Sequence, residues 1–276
     1  MATKKSISFL GCGWLGHPSA IKLAQKGIQV KVSTTSATKI EQFTTEGLQP
    51  YLIHLTPESS EITLIQEFLH VDTLVINIPP GKSSEVNFHP SQIQFLKPFI
   101  EDSPIKHIIY VSATSVYPEH NQMAYETDVK NASEAVNKKL ALAEDIIKSI
   151  PNKHITILRY GGLVGGSRNL LKFFAGKTDV EGGHIPVNLI HQNDAVNILC
   201  ETVIQEVWDD TFNVCAPLHP SKKIFYSNLA KKFDAIAPQF KDEDSSPFKI
   251  INTDKIIQKL NYQFEFENPL DFEYDR

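Results

Sequence analysis

The chain is short of several features that would each point somewhere definite. It has only three cysteines, Cys12, Cys200 and Cys215, in 276 residues. An odd number at wide spacing offers neither a disulfide framework nor the paired spacing of a metal site. No metal is therefore expected, and a reducing, cytoplasmic setting is. No stretch approaches the roughly 18 apolar residues of a membrane span, so no membrane association is expected. Basic residues are in no excess: 27 Lys and Arg stand against 32 Asp and Glu, a net charge of -5, which leaves no electrostatic footprint for nucleic acid. Residues 1–6 are basic, but the apolar run that follows, 7–10, is too short for a secretion signal and is broken by Gly11 and Gly13. Internal repeats and low-complexity segments are absent from the sequence.

What remains is a composition typical of a globular protein, 41% hydrophobic and 21% charged, long enough for one large domain or one and a half. Short apolar runs alternate with longer amphipathic patterns. Strands are expected at residues 7–10, 28–33, 48–53, 72–78, 106–112 and 154–159. Helices are expected at 14–26, 39–46, 90–100 and 132–150. Six strands alternating with helices predict an α/β fold, a Rossmann-type doubly wound parallel sheet. After Gly165 the pattern loosens. It reads as strands at 187–191 and 211–214, helices at 193–207, 221–233 and 253–260, and an exposed loop at 242–246. The expected division is a sheet domain over 1–165 and a small C-terminal substrate lobe over 166–276, with 186–214 returning to the sheet. With no clear linker, the two are expected to share an interface. Ligands of open α/β sheets sit at the carboxyl ends of the strands.

The segment Gly11-Cys12-Gly13-Trp14-Leu15-Gly16 fits G-x-G-x-x-G, directly after an expected strand and opening an expected helix. Gly11 permits the tight turn, Gly13 lets the backbone approach a pyrophosphate, and Gly16 allows close helix–strand packing. The helix N-terminus then offers free N–H groups and partial positive charge to the phosphates. The spacing predicts a nicotinamide dinucleotide. About 20 residues on, where an Asp or Glu would bind the adenosine ribose of NAD, the chain carries Ser33, Thr34, Thr35 and Ser36, with Lys39 beyond. Hydroxyls and an ammonium suit a 2′-phosphate, so NADP is favoured over NAD. Ser36 also reads as a helix N-cap.

Further segments carry a resemblance: Ile78-Pro79-Pro80, Tyr110 to Tyr117 (Y-V-S-A-T-S-V-Y), Leu158-Arg159-Tyr160-Gly161-Gly162, Asn188 to Ala195 (N-L-I-H-Q-N-D-A) and Phe212-Asn213-Val214. With the glycine loop, they make the chain resemble the extended short-chain dehydrogenases/reductases of the nucleotide-sugar epimerase/dehydratase type, and more closely the atypical YeeZ-like group. The resemblance implies an NAD(P)-binding Rossmann domain and a small substrate lobe. It implies cofactor contacts at Gly11, Gly13, Trp14, Leu15, Gly16, Thr34, Thr35, Ser36, Lys39, Pro79 and Ser112. Such enzymes use a Ser or Thr, a Tyr as general base, and a Lys four residues after it on one helix face. This chain has no Y-x-x-x-K. Anchored on Glu144, the Tyr and Lys positions fall on Val136 and Leu140; the Ser/Thr position, four before Tyr117, falls on Ala113. Thr114 and Tyr125 are the substitutes the sequence offers for catalysis.

For a small-molecule substrate the candidates are Arg159 and Arg168, whose planar guanidinium groups can clamp an anion, and His191. Asp194 reads as a helix cap or as a partner holding His191. Arg159 reads equally as a buried ion pair. Tyr262, Phe264, Phe266, Phe272 and Tyr274 make an aromatic tail, with Phe264 and Phe266 alternating as a strand would. It is a packing element, or, if exposed, a contact in a homodimer. Two functions are open on the sequence. One is an atypical oxidoreductase or epimerase acting on a nucleotide sugar or related carbonyl compound; the other is a non-catalytic NADP(H)-binding redox sensor.

Overall fold

A computed structural model of the chain describes residues 5–80, 87–242 and 245–275. Along it run β1 (Ser6–Leu10), α1 (Gly16–Gln25), β2 (Gln29–Thr34), α2 (Lys39–Thr45), β3 (Gln49–Leu52), α3 (Ile62–Phe68), β4 (Thr73–Ile76), α4 (Phe88–Glu101) and β5 (His107–Ala113). Then come β6 (Gln122–Ala124), α5 (Lys138–Lys148), β7 (His154–Tyr160), β8 (Gly162–Val164), β9 (Leu189–His191), α6 (Gln192–Ile204), β10 (Thr211–Val214), α7 (Lys222–Lys232), β11 (Lys249–Ile251) and α8 (Asp254–Leu260).

The main sheet is parallel and seven-stranded, in the order β10-β7-β5-β4-β1-β2-β3. Its central strands are apolar because helices cover both faces. All four residues of β4 are buried, and Ile7, Phe9 and Leu10 of β1 are 1%, 0% and 2% exposed. β1 pairs in parallel with β2 on one side and β4 on the other, Phe9 facing Val32 and Val75. Strand order therefore reverses between β1 and β4. That switch point is where an open parallel sheet leaves a crevice at its carboxyl edge. Two small parallel pairs, β6 with β11 and β8 with β9, stand apart from this sheet. The chain forms two compact units: Met1–Ser112, Val129–Leu158 and Leu199–Thr211 make the first, and Ala113–Asp128, Arg159–Ile198 and Phe212–Arg276 the second.

Several elements differ from the sequence expectations for identifiable reasons. The long helix expected from residue 132 begins at Lys138. Asn131 Oδ1 accepts from the backbone and hydroxyl of Ser133, and Asp145 accepts from the Ala132 N–H, so side chains hold this backbone in turns. Asn137 then caps α5 by accepting from the Leu140 N–H. α4 begins at Phe88, two residues before the expected Pro90. A proline in the first turn costs nothing because N–H groups there have no intrahelical partner. α3 was unforeseen: over seven residues it buries only Ile65 and Phe68, too little for a visible period. The strand suggested by Phe264 and Phe266 does not form. The N–H groups of Glu265 and Phe266 are spent on the Asp194 carboxylate, which leaves no strand neighbour a donor to pair with, although Phe266 is buried. Of the turn at Pro79-Pro80-Gly81, Gly81 lies outside the described residues, as do 243 and 244 of the expected loop at 242–246. Among the described residues, no helix is long and apolar enough to cross a membrane and no cluster of His, Cys, Asp or Glu could hold a metal ion.

Candidate cofactor site

The glycine loop lies at the switch point, and hydrogen bonds from neighbouring strand ends pin it. The Gly11 N–H donates to Ser33 Oγ at 2.8 Å and the Cys12 N–H to the Ser33 carbonyl at 3.1 Å. Asn77, just past β4, donates its amide to the Gly11 carbonyl at 2.9 Å. The three glycines are needed for different reasons. Gly11 has φ +100°, and a Cβ there would lie 2.6 Å from the Asn77 carbonyl oxygen. A Cβ on Gly16 would lie 2.5 Å from the Gly11 carbonyl oxygen. Both are forced by the protein's own packing. Gly13 is different: its φ is ordinary and a Cβ there would meet no heavy atom within 4 Å. Nothing in the fold demands glycine at 13, so the open space beside it is the cradle that a closely approaching pyrophosphate would require.

α1 leaves its positive end uncovered. Its N-cap, Leu15, makes no side-chain cap, and its first turn holds no acidic residue. In front of the loop lies a cleft of about 360 Å³, at the lower end of the range for small-molecule sites. Ile53, Leu55 and Ile78 give it an apolar wall suited to a planar base. Thr34, Thr35, Lys39, Pro79 and Gln92 also line it. Lys39 is exposed; its backbone N–H donates to the Ser36 carbonyl at 3.1 Å, and its ammonium has no hydrogen-bond or ion-pair partner among the described residues. Ser33 is committed to Gly11, and Thr34 accepts from the Ser36 N–H. Ser36 is not the N-cap of α2. Thr38 occupies that position, and the Ser36 hydroxyl instead pairs with the Thr38 hydroxyl at 2.8 Å. Trp14 is partly exposed and Leu15 is buried. The Cys12 thiol is pushed up to about 12 by burial, against a smaller opposing pull from Lys39, so it stays protonated and fills the position as a small group. One carboxylate near this end was not legible from spacing. Glu46 is hydrogen-bonded by His17 at 2.6 Å, which with Gln42 holds it below the usual carboxylate range.

The remaining candidates are mostly committed to structure. Ser112 is buried and donates to the Glu144 carboxylate at 2.5 Å; Glu144 is itself buried, with Lys148 3.6 Å away. Leu140 is 4% exposed and Val136 66%, so the two positions aligned with the missing Tyr and Lys are a packing residue and a surface residue. In the second unit, Thr114 is buried in a single 3₁₀ turn, and Tyr125 is half exposed above a turn closed by Asp128. Arg159 is 1% exposed. It donates to the Tyr117 hydroxyl at 2.8 Å, which donates in turn to Asn213 at 2.7 Å, while the Asn213 N–H donates to Glu126. His191 is buried with both nitrogens engaged: Nδ1 accepts from the Asn193 N–H, and Nε2 faces the Glu273 carbonyl at 3.0 Å. Asp194 neither caps a helix nor holds His191. It accepts from the Tyr262 hydroxyl and the N–H groups of Glu265 and Phe266, fastening the aromatic tail. Arg168 is exposed beside Gly165 and Gly166, both at positive φ. The sequence reading missed Asn77, Ile53, Leu55 and Gln92. The one available signal was a polar residue, Asn77, ending an otherwise apolar strand.

A seven-stranded parallel sheet with a glycine loop at its switch point defines a Rossmann-type fold, and solved structures share it. A UDP-glucose-4-epimerase from Stenotrophomonas maltophila with bound NAD and formylated UDP-arabinopyranose superposes with a TM-score of 0.77 at 14% identity, covering 97% of this chain and 95% of that one. A functionally unknown conserved protein from Silicibacter pomeroyi DSS gives 0.73 at 18% identity, covering 97% and 96%. No family model matches the chain. It is nevertheless 32% identical over 269 residues to Protein YeeZ of Escherichia coli (strain K12), 96% of this chain and 98% of that protein, and it belongs to the YeeZ family.

Proposed function

We propose that this protein binds NADP(H) through its first unit and acts as an atypical oxidoreductase or epimerase on a nucleotide sugar or a related carbonyl compound. The observation that carries the reading is the glycine cradle: a loop whose middle glycine faces open space, at the uncapped end of α1, with an exposed lysine lining the same cleft. Gly13 and the first-turn N–H groups of α1 hold the pyrophosphate. Ile53, Leu55 and Ile78 hold the base. Lys39, with Thr34, Thr35 and Ser36, holds the 2′-phosphate and sets the preference for NADP. The bound nicotinamide supplies or accepts hydride. The relatives support a sugar-nucleotide substrate through their own ligands. The proton donor is not the usual Tyr–Lys pair. Tyr125, half exposed, is the candidate hydroxyl for that task, and Arg168 the candidate anchor for an anionic substrate. The setting is the cytoplasm, consistent with three free, buried cysteines.

The burial of Leu140 at the position of the missing lysine favours a second reading, a non-catalytic NADP(H) sensor. One screen separates the two. The protein is saturated with NADPH and offered UDP-sugars and simple aldehydes while absorbance at the nicotinamide band is followed. Turnover that Tyr125→Phe abolishes supports the enzyme. Tight binding without turnover on any substrate, with a change of protease sensitivity between NADP and NADPH, supports the sensor.

A further inference from the structure

The first unit has a second cavity, of about 260 Å³, at the opposite edge of its sheet. It opens at the amino-terminal ends of β1, β4 and β5, whose first residues Ser6, Thr73 and His107 line it. Nothing in the proposed cofactor chemistry uses this edge.

Its wall is unusually organised. Trp208 stacks on His107 with ring centres 4.2 Å apart and planes 17° off parallel, and His107 stacks on His154 at 5.3 Å and 23°. Trp208 is set by two non-glycine residues in the left-handed region, Glu206 at φ 57° and Asp209 at φ 62°. Such conformations cost of order 1–3 kcal/mol and persist where surrounding structure demands them. The Asp209 side chain is also tied down, by His154 at 2.5 Å and by the Ile155 N–H at 3.0 Å. His107 Nδ1 is buried without a hydrogen-bond partner, so the protein's own bonds do not complete this wall. Ile7, Ile28 and Val203 add an apolar floor.

The rim carries both signs of charge. Lys5 pairs with Glu206 at 2.5 Å and Lys106 with Asp72 at 3.4 Å. All four side chains are between 40% and 68% exposed. Exposed pairs of this kind are worth about 0–1 kcal/mol, so a ligand can open them at little cost. A simple anion would meet Asp72 and Glu206, and a simple cation would meet Lys5 and Lys106; each is disfavoured by the like charges. A ligand bearing one ammonium and one carboxylate offers each sign of the rim an opposite charge, with Asp72 held in place by the Ser6 N–H and hydroxyl. At roughly 30 Å³ for each water it displaces, the cavity has room for on the order of ten heavy atoms.

We propose that this amino-end cavity binds a free α-amino acid with an aliphatic or aromatic side chain. Its ammonium pairs with Asp72 and Glu206, its carboxylate pairs with Lys5 and Lys106, and its side chain lies on the floor beside Trp208. The site is independent of the dinucleotide reading. The test is calorimetric titration of the full chain with L-leucine, L-phenylalanine and N-acetyl-L-leucine. Saturable binding of at least one free amino acid is expected, weakened tenfold or more by N-acetylation and by Lys106→Met. Lys106 is 68% exposed, so its replacement should leave the urea unfolding midpoint in place. Lys39→Met, in the cofactor cleft, should leave amino-acid binding unchanged. Absence of saturable heat with both free amino acids up to about 10 mM, or equal binding of the acetylated compound, overturns the proposal.

Discussion

Replacing Gly13 by alanine separates what the fold needs from what a ligand needs. The added methyl meets no heavy atom within 4 Å, and the backbone at 13 is one that alanine adopts freely. Stability should therefore hold or rise by about 0.4–1 kcal/mol, because alanine restricts the unfolded chain. Dinucleotide binding should suffer, since the methyl occupies the space where the pyrophosphate lies against the backbone. Overfilling a close contact costs about 1–3 kcal/mol, which corresponds to roughly 5- to 150-fold in dissociation constant. Gly11→Ala is the contrast. Its φ of +100° and the 2.6 Å approach to the Asn77 carbonyl oxygen should cost the fold itself about 1–3 kcal/mol. Urea unfolding reads the first effect, and NADPH fluorescence titration the second. A Gly13→Ala protein that binds NADPH like the wild type, or that unfolds as early as Gly11→Ala, refutes the assignment of that space to a ligand.

Further outcomes follow from other contacts. Lys39→Met should weaken NADPH about three- to tenfold while leaving NADH unchanged, because an exposed charge–phosphate contact is worth about 1 kcal/mol; parallel titrations of the two cofactors check it. Tyr117→Phe should cost about 1–3 kcal/mol in urea unfolding, because it strips a partner from buried Asn213 and from Arg159 together. Asp194→Ala should free three donors and release the aromatic tail, seen as faster amide exchange at Glu265 and Phe266. Burial holds His89 below its ordinary value of 6.5, and it shares a 2.7 Å hydrogen bond with Tyr110. A histidine kept neutral in the fold contributes stability that is full above the unfolded value and is lost as pH falls below it. Urea midpoints should therefore drop between pH 7.5 and 5.5, and by less in His89→Gln.

The parallel sheet was legible because its strands are short, apolar and bounded by glycine or proline, and the glycine loop because its three glycines stand at fixed spacing between a strand and a helix, two of them forced by packing. Three-residue strands such as β6, β8 and β11 are too brief to show a period. Polar residues misled in a consistent way. Ser36 and Asp194 have side chains that can cap, turn or clamp, and only the structural neighbour decides which. Asp194 reads as a cap of its own helix or a partner of the nearby His191, when its partners lie about 70 residues on. The apolar wall of the cleft is not legible in the sequence because Ile53 reads as the last residue of an ordinary strand and Leu55 lies beyond it; only the fold brings them to the cleft that Gly11 lines.

The most direct measurement is an equilibrium titration of the purified protein with NADPH and, separately, NADH. Saturable binding of both, with NADPH tighter by about three- to tenfold and the difference erased by Lys39→Met, is the outcome the glycine cradle and its lysine require. Tighter binding of NADH, or no binding of either, contradicts it.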